Sequence, residues 1–457
     1  EQVLQDIYRR RPEAVGFSCY IWNISFIREL IADLALVLPH TEIWLGGPEV
    51  SFECERLLYS LPAVRGVMKG EGEETFCRLA AAYGEAERLG ALLQAESGIP
   101  GPSDADLAAI PNLAFRRRDG GIFQTPDGPP SDMGSFPFSY KQLGLENLEH
   151  RIIYYESSRG CPFSCSYCLS SVDKALRFRP ISLVKRELDW FLERKVPQVK
   201  FVDRTFNCKK SHALAIWRHI QEHDNGVTNF HFEIAADLLD EEEMELLEKM
   251  RPGLVQLEIG VQSTNENTLE AIDRKGSFAH ICQVVRKLQE GNNIHLHLDL
   301  IAGLPYENLE RFEQSFNDVY NMQPDQLQLG FLKVLKGSKM YQNAKEYGIV
   351  YTDTAPYEVL YTKWISYADV LTLKAVEEMV ELYYNSRQYV QSLTYLREFF
   401  DTPYAMFAYL ADYYEKNGLF AVKHSRMTRY QHFYDAAKLR IMQVQKAPDS
   451  ADFSGTQ

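Results

Sequence analysis

The sequence contains no apolar run approaching the roughly 20 residues that cross a bilayer as a helix. Its opening, EQVLQDIYRRRPEAVGF, has no signal-peptide apolar core. Basic charge is scarce: 49 Lys and Arg stand against 63 Asp and Glu, for a formal net charge of -14. That balance argues against broad electrostatic capture of nucleic acid and favours a small-molecule or peptide substrate. Eight cysteines in 457 residues do not make the dense, even framework of a small secreted domain. There is no internal repeat. These absences lead us to expect a soluble, cytoplasmic protein in a reducing, oxygen-poor setting, long enough for two or three domains.

Three cysteines are clustered. RGCPFSCSYC places Cys161, Cys165 and Cys168 at C-x-x-x-C-x-x-C spacing, and no Cys or His occurs from 169 to 207 to close a four-ligand zinc site. Three thiolates can hold a cubane iron-sulfur cluster while one iron keeps no protein ligand. Pro162, Phe163 and Tyr167 fit a tight loop with an aromatic beside it. The segment resembles the radical S-adenosylmethionine (SAM) superfamily. The resemblance implies that SAM chelates the free iron through its amine and carboxylate. One electron, from a low-potential donor such as flavodoxin or ferredoxin, then breaks a carbon-sulfur bond to give a 5'-deoxyadenosyl radical. In such enzymes the cofactors carry the hard chemistry and the protein positions them.

From 181 to 333 strand and helix signals alternate, the pattern of a parallel sheet with crossover helices. Strands are predicted at 152–157, 198–203, 229–235, 254–261, 294–301 and 326–333, with helix starts at Ser182 and at Asp240 with Glu243 as a capping box. Six βα units predict an open, partial barrel with its ligand at the strand C-terminal ends. Before residue 83, strands AVGFSCY, EIWLGG and RGVMKG alternate with helices at 24–38, 51–60 and 73–83. This region begins at a helix, as though preceding elements were missing. The stretch 84–137 reads as linker and loop, 340–442 as almost wholly helical, and the tail as disordered. The expected fold is therefore α/β: a Rossmann-like domain plus linker (1–135), a partial (β/α)6 barrel (136–335), a helical domain (336–445) and a tail (446–457).

FEIA, GVQS, DRK and DLIAGLP resemble the branch of the superfamily that includes anaerobic coproporphyrinogen oxidases and methylthiotransferases. Matching positions implicate Glu233, Gln262, Arg274 and Asp299 in holding SAM, beside Phe163, Tyr167 and the backbone turn Gly303-Leu304-Pro305 for adenine. Carboxylates suit ribose hydroxyls or an ammonium, and Arg suits the methionyl carboxylate. Asp203, Arg204 and Thr205 stand where the superfamily often has a glycine-rich segment for the SAM amine. His295 and His297 share one sheet face, as packed polar groups or as ligands. Cys208 and Cys282 read as ordinary thiols.

GFSCYIWN, LGGPEVS and KGEGEET resemble the cobalamin-binding domain found ahead of many radical SAM modules. The family reading puts Ser18, Tyr20, Trp22 and Asn23 against the corrin and Gly46, Gly47, Gly70, Glu71 and Gly72 at its approach. The D-x-H-x-x-G motif that supplies a cobalt-ligating histidine is absent. EYGIVYTDTAPYEVLYTKWISY resembles an uncharacterised helical domain that follows this pair, with Tyr357, Tyr361, Trp364 and Tyr367 as core or as a substrate mouth. The resemblance implies a cobalamin-dependent radical SAM enzyme, by class default a methyltransferase of unactivated carbon. The alternatives are a methylthiotransferase with a second cluster on Cys19, Cys54 and Cys77, and a non-catalytic cobalamin or redox sensor.

Overall fold

The computed structural model describes residues 1–92, 101–142 and 151–446. The chain forms two compact units. The first is Glu1–Asp132 with Leu335–Gly337 and Thr352–Glu358; the second is Met133–Val334, Ser338–Tyr351 and Val359 onward.

In the first unit β1 (Ala14–Ser18), β2 (Glu42–Gly46) and β3 (Val64–Met68) run parallel and in sequence order. Their connections are the helices Ile24–Val37 and Cys54–Ser60. Ile27, Ile31 and Leu34, at helical spacing, pack in one core with Ile43, Leu45 and Val67 of the sheet. Among the described residues, part of the stretch expected as linker instead forms helix and strand. The helix Glu73–Leu92 runs well past residue 83, and Asp104–Ala108 starts from a capping box between Ser103 and Asp106. β4 (Leu113–Arg116) then pairs antiparallel with β3, and β5 (Ile122–Gln124) pairs antiparallel with β4 at the edge of the sheet. Gly, Pro and Asp punctuate this stretch, but Leu113, Ala114 and Phe115 are fully buried, and a short edge of that kind carries too little pattern to stand out.

The second unit is built on β6 (Ile152–Tyr155), β7 (Gln198–Phe201), β8 (Asn229–Ile234), β9 (Val255–Gln262), β10 (His295–Ala302) and β11 (Gln326–Phe331). All six are parallel and each pairs with its sequence neighbours, the winding of a βα barrel left open between β6 and β11. An open edge exposes unpaired backbone groups, and here a side chain covers part of each. The Tyr140 hydroxyl donates to the Tyr154 carbonyl (2.8 Å) and accepts from the Tyr154 amide. At the other edge Asn385 accepts from the Leu327 amide (3.0 Å) and donates to the Leu327 carbonyl (2.9 Å).

Alternation along β10 shows how the sequence builds this sheet. Leu296, Leu298 and Leu300 are fully or almost fully buried, in one core with Ile281, Val284, Val285 and Leu288 of the helix Phe278–Glu290. His295, His297 and Asp299 point the other way. The Asp240–Glu243 capping box forms as expected. Ser182 does not cap its helix: Ile181–Glu193 begins one residue earlier, after Pro180, whose carbonyl accepts the Leu183 and Val184 amides.

The helices Tyr367–Met379, Val390–Arg397, Pro403–Lys416 and Arg426–Lys446 share one apolar core with the barrel, Phe316 meeting Tyr404 and Phe407. Residues 340–442 are less uniformly helical than expected. Val350–Tyr351 pairs antiparallel with Val359–Tyr361, and Val380–Asn385 is π-helical. The four aromatics therefore do not share one helix face. Tyr357 is buried in the first unit, its hydroxyl donating to Glu49 (2.5 Å), whereas Tyr361 and Tyr367 are exposed. Trp364 packs on Tyr306. Apart from Lys446, the tail lies outside the described residues. No helix among the described residues is long and apolar enough to cross a membrane.

Candidate active site

The loop after β6 is tied down at several points. Gly160 has φ +89, and a Cβ there would meet the Ala175 carbonyl oxygen at 2.6 Å, so the position before Cys161 needs glycine. The Cys161 amide donates to the Asp173 carbonyl, Ser166 to Ile272, and Met340 back to Ser166. The loop thus holds Cys161, Cys165 and Cys168 on the wall of a single cavity of about 220 Å³. Cys161 and Cys165 are nearly buried and Cys168 is half-buried. Burial pushes the Cys165 thiol up, and the neighbouring Arg274 guanidinium partly offsets this.

Phe163, Tyr167, Glu233, Gln262, Arg274 and Asp299 line the same cavity, with Arg204 and Thr205. Six of the eight residues expected around SAM are therefore brought together with the three thiols. Asp203 and Leu304 are not on that wall. Asp203 is fully buried and turned inward, accepting from the Ser157 amide (2.9 Å), the Ser157 hydroxyl (2.7 Å) and the Ser158 hydroxyl (2.5 Å). Burial raises its carboxyl to about 6 against those donors. The Leu304 side chain is buried in an apolar cluster with Ile272, Leu332 and Val334, while Gly303 (φ +87) packs against Val359.

Arg274 donates to the Gly260 carbonyl and stands 3.5 Å from the Tyr167 hydroxyl and 3.8 Å from Cys165 Sγ. Much of its donor fork is thus committed to the wall, and the exposed Arg204 and Lys275 add positive charge there. Gln262 follows a bulge at Gly260 and has φ +71. A Cβ on Gly260 would stand 2.1 Å from Gln262 Nε2, so a side chain there would push the Gln262 amide aside. The buried Gln262 Oε1 has no hydrogen-bond partner among the described residues. A buried acceptor without a partner costs free energy that a donor on a ligand would recover.

The barrel interior beneath is polar, unlike the aliphatic filling of closed barrels. Glu233, Glu258 and His297 occupy one register level on β8, β9 and β10. Glu258 Oε2 stands 3.1 Å from Lys200 Nζ and 2.8 Å from His231 Nε2, and His297 Nε2 stands 3.0 Å from Asp299 Oδ1. Burial would raise the Glu258 carboxyl, but His231, Lys200 and His297 outweigh it and hold it at about 2. Glu233 goes the other way, to about 7, through burial first and the Glu258 charge second. His297 is raised overall, Asp299 and Glu258 overcoming burial. Glu258, Lys200 and His231 were not among the expected site residues, although Gln256, Glu258 and Gly260 alternate along β9 and mark its inner face.

A carboxyl with a raised folded-state pKa holds its proton more tightly than the unfolded chain does. The stability this gives is complete below the unfolded value of 4.5 and is lost as pH rises through about 7. Glu233→Gln should therefore raise the unfolding free energy of SAM-free protein by about 2 kcal/mol at pH 8. Urea denaturation should find almost no difference at pH 4; an equal effect at both pH values would contradict the assignment.

In the first unit the loops after β1, β2 and β3 meet at the strands' carboxyl ends. The Cys19 amide donates to the Gly46 carbonyl, and Ser51 Oγ donates to Gly47 and accepts from the Gly70 amide. Gly47 has φ +98, and a Cβ there would meet the Cys19 carbonyl oxygen at 2.6 Å. Among the described residues, nothing lies within 4 Å of where a Cβ on Gly70 or Gly72 would stand. Tyr20 and Trp22 stack at 4.5 Å with planes 5° apart, and Trp22 is 76% exposed. Two members of the expected corrin set are engaged locally. Asn23 accepts from the Tyr20 amide and donates to the Ser18 carbonyl, and Glu71 accepts from the Ser131 amide. Cys19 and Cys54 are buried in the apolar core, which pushes both thiols up, Cys19 to about 12, while Cys77 is exposed on a helix. Thiols so disposed are poor ligands for a shared second cluster.

The chain matches the radical SAM superfamily over residues 155–319, a B12 binding domain over 1–80 and DUF4080, a protein of unknown function, over 345–449. It is 25% identical over 334 residues to the cobalamin-dependent radical SAM methyltransferase TokK of Streptomyces tokunonensis, covering 67% of this chain and 45% of TokK. It is 21% identical over 334 residues to an anaerobic magnesium-protoporphyrin IX monomethyl ester cyclase of Rubrivivax gelatinosus, covering 71% and 57%. The chain thus spans about half the length of these curated relatives. The solved structure of OxsB, a cobalamin-dependent S-adenosylmethionine radical enzyme, superposes with a TM-score of 0.61 at 12% identity, covering 100% of this chain and 75% of that one, a likeness of fold. The chain thus carries a radical SAM domain, with a B12-binding domain ahead of it and a DUF4080 domain after it.

Proposed function

We propose that this chain is a cobalamin-dependent radical SAM enzyme, a methyltransferase acting on an unactivated carbon of a small-molecule or peptide substrate. The observation that carries the reading is the convergence of three thiols with Glu233, Gln262, Arg274 and Asp299 on one cavity at the strand C-terminal ends. The donor set fits the groups. Cys161, Cys165 and Cys168 would hold a cubane cluster, and the unpartnered Gln262 Oε1 and the Asp299 and Glu233 carboxylates would meet the amine and hydroxyls of SAM. The exposed Tyr20–Trp22 stack and the open glycine loops would seat a corrin. When bound, the cluster with SAM supplies hydrogen-atom abstraction, and the corrin supplies the methyl group.

This chain's own contribution is positioning. Arg274 braces the cysteine loop against β9, Glu258 anchors the charge beneath, and the nearly buried Cys161 and Cys165 would keep a bound cluster from bulk water. A low-potential flavodoxin or ferredoxin would deliver the electron. The test is anaerobic reconstitution with iron, sulfide and hydroxocobalamin, desalting, and an absorption spectrum. The expected result is a corrin band retained over broad cluster absorption, with SAM consumed once reductant is added. Cluster absorption without corrin would reject the cobalamin half of the reading. Similarity to the cyclase favours ring formation as the second reading, and mass analysis of the product, a gain of CH2 against a loss of two hydrogens, separates the two.

A further inference from the structure

Away from the cavity, two crossover helices of the barrel carry a cluster that SAM chemistry does not use. His219 lies in the helix Lys210–Glu222, His223 caps the end of that helix one turn later, and Asp189 lies in the helix Ile181–Glu193. One ligand atom from each lies within 4.8 Å of the other two. His219 Nε2 stands 2.7 Å from Asp189 Oδ1, and the imidazoles face each other at 4.2 Å between ring centres. His223 Nδ1 stands 2.9 Å from the His219 carbonyl, to which only a protonated nitrogen can donate. That bond fixes the tautomer and leaves the His223 Nε2 lone pair free. Metal-binding histidines are held in this way, by donating the other ring nitrogen to a backbone carbonyl or carboxylate. His219 is buried, Asp189 half-exposed and His223 exposed, so an ion can enter from solvent onto a partly preformed set.

We propose that Asp189, His219 and His223 form a second, structural metal site for a borderline divalent cation of the zinc type, with water completing the coordination. Two neutral imidazoles and one carboxylate suit such an ion, whereas Mg2+ and Ca2+ prefer oxygen ligands throughout. On binding, Asp189 and His219 exchange their mutual hydrogen bond for joint ligation. The ion ties together the helices on either side of β7, the strand that leads into Arg204 and Thr205.

The test is anaerobic calorimetry with Zn2+ on the protein after cluster reconstitution, with cluster absorption monitored to show that the cysteines stay engaged. Wild type is compared with His223→Gln, Asp189→Asn and, as a control, His40→Gln. His223 and Asp189 are solvent-accessible, so both variants should fold. The expected result is one tight ion per chain in wild type and control, weakened at least about tenfold in each site variant. Zn2+ should also raise the melting temperature of wild type and not of His223→Gln. Equal affinity in all four proteins, or no wild-type site tighter than about 0.1 mM, would overturn the proposal.

Discussion

Alanine at Asp299 is expected to leave the reconstituted cluster intact and to reduce SAM cleavage by about a hundredfold or more. Asp299 is on the cavity wall on β10, remote in sequence from the three cysteines, and its carboxylate stands 3.0 Å from His297 Nε2. Truncation removes the acceptor proposed for SAM hydroxyls without touching a thiol. It also leaves His297, whose raised pKa depends on Asp299, without its partner. Hydrogen bonds to charged groups are worth about 1.5–3 kcal/mol each, and every 1.4 kcal/mol is about tenfold, so losing the carboxylate that would accept from two SAM hydroxyls accounts for the factor. Iron and sulfide content, absorption near the cluster band and 5'-deoxyadenosine formation are the readouts. A variant that keeps cluster and turnover alike would remove Asp299 from the site. The same variant separates an enzyme from a sensor, whose cluster would respond to oxygen unchanged and would need no carboxylate at this position.

Glu258→Ala should have the largest effect on folding, lowering stability by about 3–5 kcal/mol near pH 7. Among the described residues, Glu258 is the one carboxylate within ion-pair distance of both Lys200 and His231, and its charge also acts on His297. Removing it strands positive charge in a largely buried interior, which costs more than the pair itself contributes. The sign with pH follows from its depressed pKa. The stabilisation is present above the unfolded value of 4.5 and is lost as pH falls towards about 2. The gap between wild type and variant should therefore narrow as acid is added, and urea curves at pH 7 and pH 3 measure it. Glu233 should titrate lower in the variant, because the Glu258 charge is the second cause of its rise. A gap that does not change with pH would mean lost packing, not lost charge.

Much of the barrel was legible in the sequence. Each of the six strands falls within two residues of its expected span at either end, because apolar alternation over five or more residues is a strong signal and each run is bounded by a helix of 3.6-residue period. The first unit's tail was not: Leu113–Phe115 is too short a run to compete with the Gly and Pro around it. The hairpin at 350–361 was hidden in the same way by Tyr and Leu residues that also suit a helix. Asp203 and Leu304 show the limit for site residues. Each stands next to or close to a cavity-facing segment, and one step along an extended chain turns a side chain to the opposite face.

The sequence by itself determined the three-cysteine loop, the order of βα units and the strand-end polar residues, since these depend on local spacing and on which residues alternate. Only the tertiary structure decided that Glu233, Glu258 and His297 share one level across three strands, that Gln262 Oε1 is buried without a partner among the described residues, and that Asp189 meets two histidines at the end of the next helix. Register between strands and the rotation of one helix against another are set by packing over long sequence separations. A sequence scan sees period but not phase, and the shifted pKa values that distinguish Glu258 from Glu233 arise from that phase.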